Sequence, residues 1–84
     1  MILLTNSMWA NNLVDAMLEM KHKNYTMAIK MFEQLAHKGN HIAQQNLGVM
    51  YNQGLGVKRD NMRAAYWFNV ATQDVLPYEF VASN

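Results

Sequence analysis

Two glycines separated by one residue, Gly54 and Gly56, are the part of this sequence closest to a ligand-binding motif, because G-x-G occurs in loops that bind phosphate. A dinucleotide-binding loop follows a strand and needs a third glycine, where Arg59 stands here. A P-loop needs G-K-S or G-K-T, and neither tripeptide occurs. We therefore interpret the two glycines as a turn between helices, where they supply backbone angles that other residues adopt at a cost.

Metal binding and nucleophilic catalysis have equally little support in the residue spacing. His37 and His41 are four residues apart, as in a helical metal site, but Gly39 and Asn40 stand between them. A zinc site needs three or four ligands, and the sequence has no cysteine. No G-x-S-x-G sequence is present, and the carboxylates are dispersed. We expect no catalytic, cofactor-binding or metal-binding residues; a hydrolase or a small-ligand binder is one alternative.

Composition narrows the function classes further. The 84 residues suit one small domain, and seven Lys+Arg against six Asp+Glu give a net charge of +1, whereas a dedicated nucleic-acid binder carries a larger basic excess. No run approaches the ~18 apolar residues of a membrane span, so membrane insertion is not expected. The N-terminal segment MILLTNS is too short for a signal peptide. This favours the cytoplasm, unless a leader has been removed from a periplasmic or secreted protein.

The elements that position these residues are helices, because the apolar residues recur with a helical period throughout the chain. This pattern predicts an all-α fold. Four helices are expected, at about residues 7–21, 24–38, 41–53 and 60–73, followed by a short helix from about residue 77. The predicted buried stripes of the four helices are Trp9, Leu13, Ala16, Met17 and Met20; Ala28, Met31, Phe32, Leu35 and Ala36; Ala43, Leu47, Met50 and Tyr51; and Ala64, Trp67, Phe68 and Ala71.

Helix ends are marked by residues suited to them. Ser7, Asn24 and Asp60 are the predicted N-caps. Gly39 is predicted to end the second helix in a left-handed conformation, and Pro77 to begin the short C-terminal helix.

The apolar pattern also repeats. Three residues of the second predicted helix recur 36 residues later, Ala28, Phe32 and Leu35 corresponding to Ala64, Phe68 and Ala71. A period in the mid-thirties with two helices per unit is typical of helical hairpins stacked as a short solenoid.

At this point the sequence resembles the Sel-one-like repeat, a relative of the tetratricopeptide repeat. The family pattern is matched in register over about residues 41–71 by Ala43, Leu47, Gly48, Tyr51, Gly54, Gly56, Val57, Asp60, Ala64, Trp67, Phe68 and Ala71. The preceding repeat is degenerate, with Met20 where a tyrosine is usual and Ala16 where a glycine is usual. We divide the single domain into repeat 1 (about 7–39), repeat 2 (about 40–75) and a C-terminal cap (76–84).

The resemblance implies an α/α right-handed superhelix of about two stacked hairpins, and an adaptor or scaffold role in protein–protein contacts. Gly48 then allows close approach of two helices. In such an array the first helix of each hairpin lines the concave surface. The predicted partner-binding residues are Val14, Leu18, Ile42, Gln45, Val49, Asn52 and Gln53. An alternative is that Val14 and Leu18 pack in the core of their own repeat.

A second surface follows from the same arrangement, because the two turns within the hairpins lie on one edge. We call this the basic edge, and it consists of Lys21, Lys23, Lys58 and Arg59. It could attract an acidic partner, although turn lysines are commonly just solvated. The predicted function is a non-catalytic module that binds a protein or peptide and needs no cofactor. The alternative is a structural or regulatory homodimer formed through the open ends of the solenoid.

Overall fold

The computed structural model describes residues 12–73, and all regular secondary structure in that range is helical. Its helices are α1 (Asn12–Lys21), α2 (Tyr25–His37), α3 (His41–Gln53) and α4 (Asn61–Gln73). The predicted all-α fold is confirmed, and the bounds of α2, α3 and α4 lie within one residue of those predicted. Ser7, Trp9, the first turns predicted for the first helix and the helix predicted from Pro77 lie outside the described residues.

Successive helices pack against one another. α1 contacts α2, α2 contacts α3, and α3 contacts α4. The turns between them are short, so neighbouring helices run antiparallel as stacked hairpins. This is the helical solenoid that the sequence pattern predicted; the right-handed sense of the superhelix stays a prediction.

The core lies along the predicted stripes. Its buried apolar residues are Ala16, Ala28, Ile29, Phe32, Ala36, Ala43, Leu47, Met50, Tyr51, Ala64, Trp67 and Ala71. The stripe predicted for α3 is buried in full. Four residues predicted on the other stripes, Leu13, Met20, Met31 and Leu35, are partly buried against this core.

Two predicted core residues are more exposed than expected. Met17 is 49% exposed, because the buried face of α1 runs through Ala16 and the partly buried Met20, and Met17 lies beyond its edge. Phe68 is 39% exposed, since Ala64 and Trp67 occupy the centre of the buried face of α4.

The helix ends show which predicted caps form. The Asp60 Oδ1 accepts a hydrogen bond from the Arg63 N–H at 3.0 Å, so Asp60 caps α4 as predicted. Asn24 occupies the N-cap position of α2 as predicted, but its side chain makes no capping hydrogen bond: its Nδ2 donates to the Glu19 Oε1 at 2.8 Å instead. This bond turns the Asn24 side chain back towards α1. Asn40, which was not predicted as a cap, accepts from the Ala43 N–H at 2.8 Å and caps α3.

The C-terminal end of α2 has the predicted glycine. Gly39 has φ +95°, its N–H donates to the Ala36 carbonyl, and the Asn40 N–H donates to the Leu35 carbonyl. These two bonds form a Schellman motif, which satisfies carbonyl groups that the helix leaves open.

The turn after α3 confirms the structural interpretation of the G-x-G sequence. Gly54 and Gly56 have φ +73° and +76°, in the left-handed region that favours glycine. A Cβ on Gly56 would lie 2.5 Å from the Tyr25 carbonyl oxygen, so this turn rests directly on the first turn of α2. The glycines therefore shape the turn and allow its contact with α2.

Candidate partner-binding surface

The outward side of α3 carries five of the predicted partner-binding residues. Ile42, Gln45, Asn52 and Gln53 are exposed and Val49 is half-buried. Their spacing places them on one side of α3, opposite the stripe that contains Leu47 and Tyr51. The arrangement has an apolar residue, Ile42, 49% exposed, among three side-chain amides.

The outward side of α1 is apolar. Val14 is 56% exposed and Leu18 is 46% exposed, so the alternative that these two residues pack in the core is wrong. They lie one helical turn apart, and the exposed Met17 adjoins them. The sequence reasoning missed this third member because Met17 also fits the edge of the buried stripe.

The two outward sides belong to α1 and α3, which are separated in the chain by α2. α1 and α3 both pack against α2, with α2 between them in the chain order. One of the amides is already engaged, since the Asn52 Nδ2 donates to the Asn61 Oδ1 at 3.3 Å, at the start of α4. Val14 and Leu18 thus lie together on α1, the other five predicted residues lie together on α3, and α2 contacts both helices.

The basic edge is exposed at all four positions, Lys21, Lys23, Lys58 and Arg59. The contact of Gly56 with the Tyr25 backbone brings the turn at residues 54–60 beside the start of α2, and therefore beside the turn at residues 22–24. The two turns share an edge of the molecule.

A polar network that the sequence reasoning missed connects α2, α3 and α4. The Tyr51 hydroxyl donates to the Glu33 Oε2 at 3.2 Å, and the Arg63 guanidinium lies 5.6 Å from the centre of the Tyr51 ring. Arg63 also pairs with Asp60 at 3.5 Å. Burial and the neighbouring Glu33 carboxylate raise the pKa of Tyr51, which keeps the phenol protonated. These contacts link α2, α3 and α4 around Tyr51, a residue that is only 8% exposed.

A second missed feature is a buried amide between α2 and α3. Gln44 is 4% exposed, and its Nε2 donates to the Ala36 carbonyl at 3.0 Å. Gln44 is three residues before Leu47, at the edge of the buried stripe of α3, whereas Gln45 lies on the opposite side of the helix. The sequence reasoning missed Gln44 because glutamine is ordinarily an exposed residue.

The first histidine of the pair, His37, contacts an aromatic ring. His37 packs edge-on against Trp67 with 5.4 Å between ring centres. Within residues 12–73 no group of three or more His, Cys, Asp or Glu side chains is placed to hold a metal ion. None of the helices described is long and apolar enough to cross a membrane.

The sequence matches a known protein family. The family model of the Sel1 repeat matches residues 20–40 and 41–73, well over half of the chain. An Arabidopsis thaliana protein, the ERAD-associated E3 ubiquitin-protein ligase component HRD3B, is 40% identical over 53 residues, which is 62% of this chain and 9% of that protein. The chain therefore spans about a tenth of the length of this relative. No solved structure matches. The matched residues include the turn glycines, the buried stripes of α3 and α4 and the capping Asp60, so the chain belongs to the Sel1 repeat family.

Proposed function

We propose that this protein is a non-catalytic adaptor that binds a protein or peptide partner through the outward sides of α1 and α3. Sel1 repeats are protein–protein interaction modules. We call the proposed surface the outer face, and it consists of Val14, Leu18, Ile42, Gln45, Val49, Asn52 and Gln53. Right-handed stacking of the hairpins would make it the concave side of the solenoid.

The observation that carries the proposal is the exposure of three large aliphatic side chains on this face. Val14, Leu18 and Ile42 are each about half exposed. Burying such side chains against a partner gains about 25 cal/mol per Å² of apolar surface. The neighbouring amides can donate to and accept from a peptide backbone, which orients the partner. Exposed aliphatic side chains beside amides are suited to binding a peptide rather than to catalysing a reaction.

The similarity to HRD3B supports an adaptor role. The name of that protein describes a component of an E3 ubiquitin-protein ligase, so the matching segment belongs to a subunit of an assembly. For the present chain we propose the same kind of role, namely the joining of one protein to another. Its partner need not be a partner of HRD3B.

A variant pair tests the outer face. Leu18→Gln/Ile42→Gln removes two apolar contacts, and Met62→Gln is the matched control because Met62 is 84% exposed on α4. The intact chain and both variants, each tagged, are used to capture proteins from cells of the source organism, and the captured proteins are quantified by mass spectrometry. We expect at least one protein to be lost about tenfold with the double variant and kept with Met62→Gln.

Two other outcomes would contradict the proposed surface or reassign it. Equal capture of every protein by the double variant and the control would contradict the outer face as a binding site. If the only species lost is a second copy of this chain, the outer face is a homodimer interface instead, and sedimentation at several concentrations would show the dimer. Circular dichroism of each variant checks that the helices are retained.

A further inference from the structure

A concentration of positive charge lies around the basic edge, which the outer face does not use. Besides the four residues of the edge, Lys30 projects from the neighbouring part of α2. These make five of the seven Lys+Arg residues, in a chain whose net charge is only +1. The charge of this protein is therefore unevenly distributed, with an excess of cations at one end of the hairpins.

These cations are available to a partner. None of the five forms an ion pair with another residue in the range 12–73. Two carboxylates of this region have other partners: Glu19 accepts a hydrogen bond from the neutral Asn24 amide and keeps its charge, and Asp60 pairs with Arg63. The C-terminus of α1 and the N-terminus of α2 meet at this edge, so their opposite dipole ends largely offset each other and the side chains supply the positive potential.

An open depression of about 490 Å³ lies beside these charges. It is lined by two lysines, Lys23 and Lys30, by one carboxylate, Glu19, and by Asn24, Tyr25, Thr26 and Met27. Its lining therefore combines apolar surface with two ammonium groups and a single carboxylate. That combination suits a peptide whose acidic residues alternate with apolar ones.

A nucleic acid fits this surface less well than a peptide does. Proteins that bind single strands combine basic grooves with aromatic rings on which successive bases stack. Within residues 12–73 the two most exposed of the Phe, Trp and Tyr residues, Tyr66 and Phe68, lie on α4, and the depression contains a single half-buried one, Tyr25. A net charge of +1 is also small for such a ligand.

We propose that the basic edge and the adjoining depression are a second docking surface, and that its occupant is an acidic peptide segment of a partner protein. The carboxylates of the segment contact Lys23, Lys58 and Arg59, and its apolar side chains enter the depression beside Tyr25. The protein then has two binding surfaces, an apolar one with amides on α1 and α3 and a cationic one at the turns.

Fluorescence anisotropy with defined peptides tests this surface without knowledge of the partner. The probe is a short labelled peptide of alternating glutamate and leucine, and its control has glutamine in place of each glutamate. The intact chain should bind the acidic probe, with an affinity that falls as salt is added. Lys58→Gln should weaken binding about two- to fivefold, the range of one exposed ion pair.

Lys38→Gln is the matched control, because it removes one lysine from the turn at the opposite end of α2. It should leave the affinity unchanged, whereas Lys23→Gln/Lys58→Gln should weaken it more than Lys58→Gln alone. Equal loss with Lys38→Gln and Lys58→Gln would show a response to net charge and overturn the proposal. Equal affinity for the glutamine peptide, or tighter binding of a thymidine oligonucleotide, would also overturn it.

Discussion

The ring of Phe68 lies directly against the backbone of Gly48, where α4 packs on α3. A Cβ on Gly48 would be only 2.6 Å from the Phe68 Cε1 and 2.7 Å from its Cδ1. The absence of a side chain on Gly48 thus provides the space for the ring. This explains why Phe68 still contributes to the contact between the helices although 39% of it is exposed.

Gly48→Ala should lower the free energy of unfolding by about 1 kcal/mol. The new methyl group displaces the Phe68 ring, and such overpacking costs about 1–3 kcal/mol. Replacing glycine by alanine inside a helix stabilises the helix by about 1 kcal/mol, which offsets part of this cost. Urea denaturation monitored by circular dichroism measures the net effect.

Phe68→Ala provides the control for this substitution. Removing the ring removes the three nearest atoms to the new methyl group, so Gly48→Ala should become stabilising by up to about 1 kcal/mol. A destabilisation of the same size in both backgrounds would show that the ring is not the cause.

Gly56→Ala should be the most damaging of the glycine substitutions, at about 2–4 kcal/mol. It combines an unfavourable positive φ with a collision against the Tyr25 carbonyl, which is backbone and cannot rotate away. Gly39→Ala is the comparison, since Gly39 has φ +95° but no neighbouring atom lies within 4 Å of the position that its Cβ would take. Thermal unfolding of the two variants should show the smaller loss, about 1–2 kcal/mol, for Gly39→Ala. The reverse order would contradict the contact between this turn and α2.

Much of the fold was predictable because it depends on local periodicity. The stripe from Ala43 to Tyr51 repeats at three- and four-residue steps, and Gly39 and Asp60 sit at positions where helix ends need their chemistry. The position of Asn24 at the start of α2 was predicted, but the partner of its side chain was not. The side chain bonds to Glu19 on the preceding helix, and sequence spacing alone does not rank that partner above the α2 backbone.

The candidate surface was predictable to a smaller extent. The exposed side of α3 follows from its buried stripe, so the exposure of residues such as Gln45 could be predicted, whereas their role in binding stays a proposal. The exposure of Met17 and the burial of Gln44 depend on how far each stripe extends around its helix, which the packing of the next helix decides. The depression near Lys30 arises where α1 and α2 meet at their turn, and no local pattern specifies its shape.

Lys23→Gly should stabilise the protein by about 0.5–1 kcal/mol. Lys23 is the one described non-glycine residue with a positive φ, +66°, and this conformation costs an L-residue about 1–2 kcal/mol. Glycine removes that cost, although part of the gain is lost to the greater freedom of the unfolded chain. Lys21→Gly, inside the last turn of α1, is the control and should instead destabilise by up to about 1 kcal/mol. A lower melting temperature for Lys23→Gly would show that the Lys23 backbone carries no such cost.

Tyr51→Phe should lower the free energy of unfolding by about 1 kcal/mol near neutral pH, because it removes the hydrogen bond to Glu33. The size of this difference should depend on pH. Burial, followed by the Glu33 carboxylate, raises the pKa of Tyr51 in the folded protein above its ordinary value of 10.0. The folded state therefore holds this proton more tightly than the unfolded state does, and the resulting stability is fully present below pH 10.0.

As the pH rises from 10.0 through the folded pKa of Tyr51, that stability is lost in the wild type and not in Tyr51→Phe. The difference in unfolding free energy between the two proteins should then shrink, because ionisation places a phenolate beside the Glu33 carboxylate. Urea denaturation of both proteins over a series of alkaline pH values measures this difference in unfolding free energy. Tyr66→Phe is the control for general effects of the substitution, because Tyr66 is 60% exposed. A difference that stays constant or grows above pH 10.0 would show that Tyr51 does not ionise against Glu33 in the folded protein.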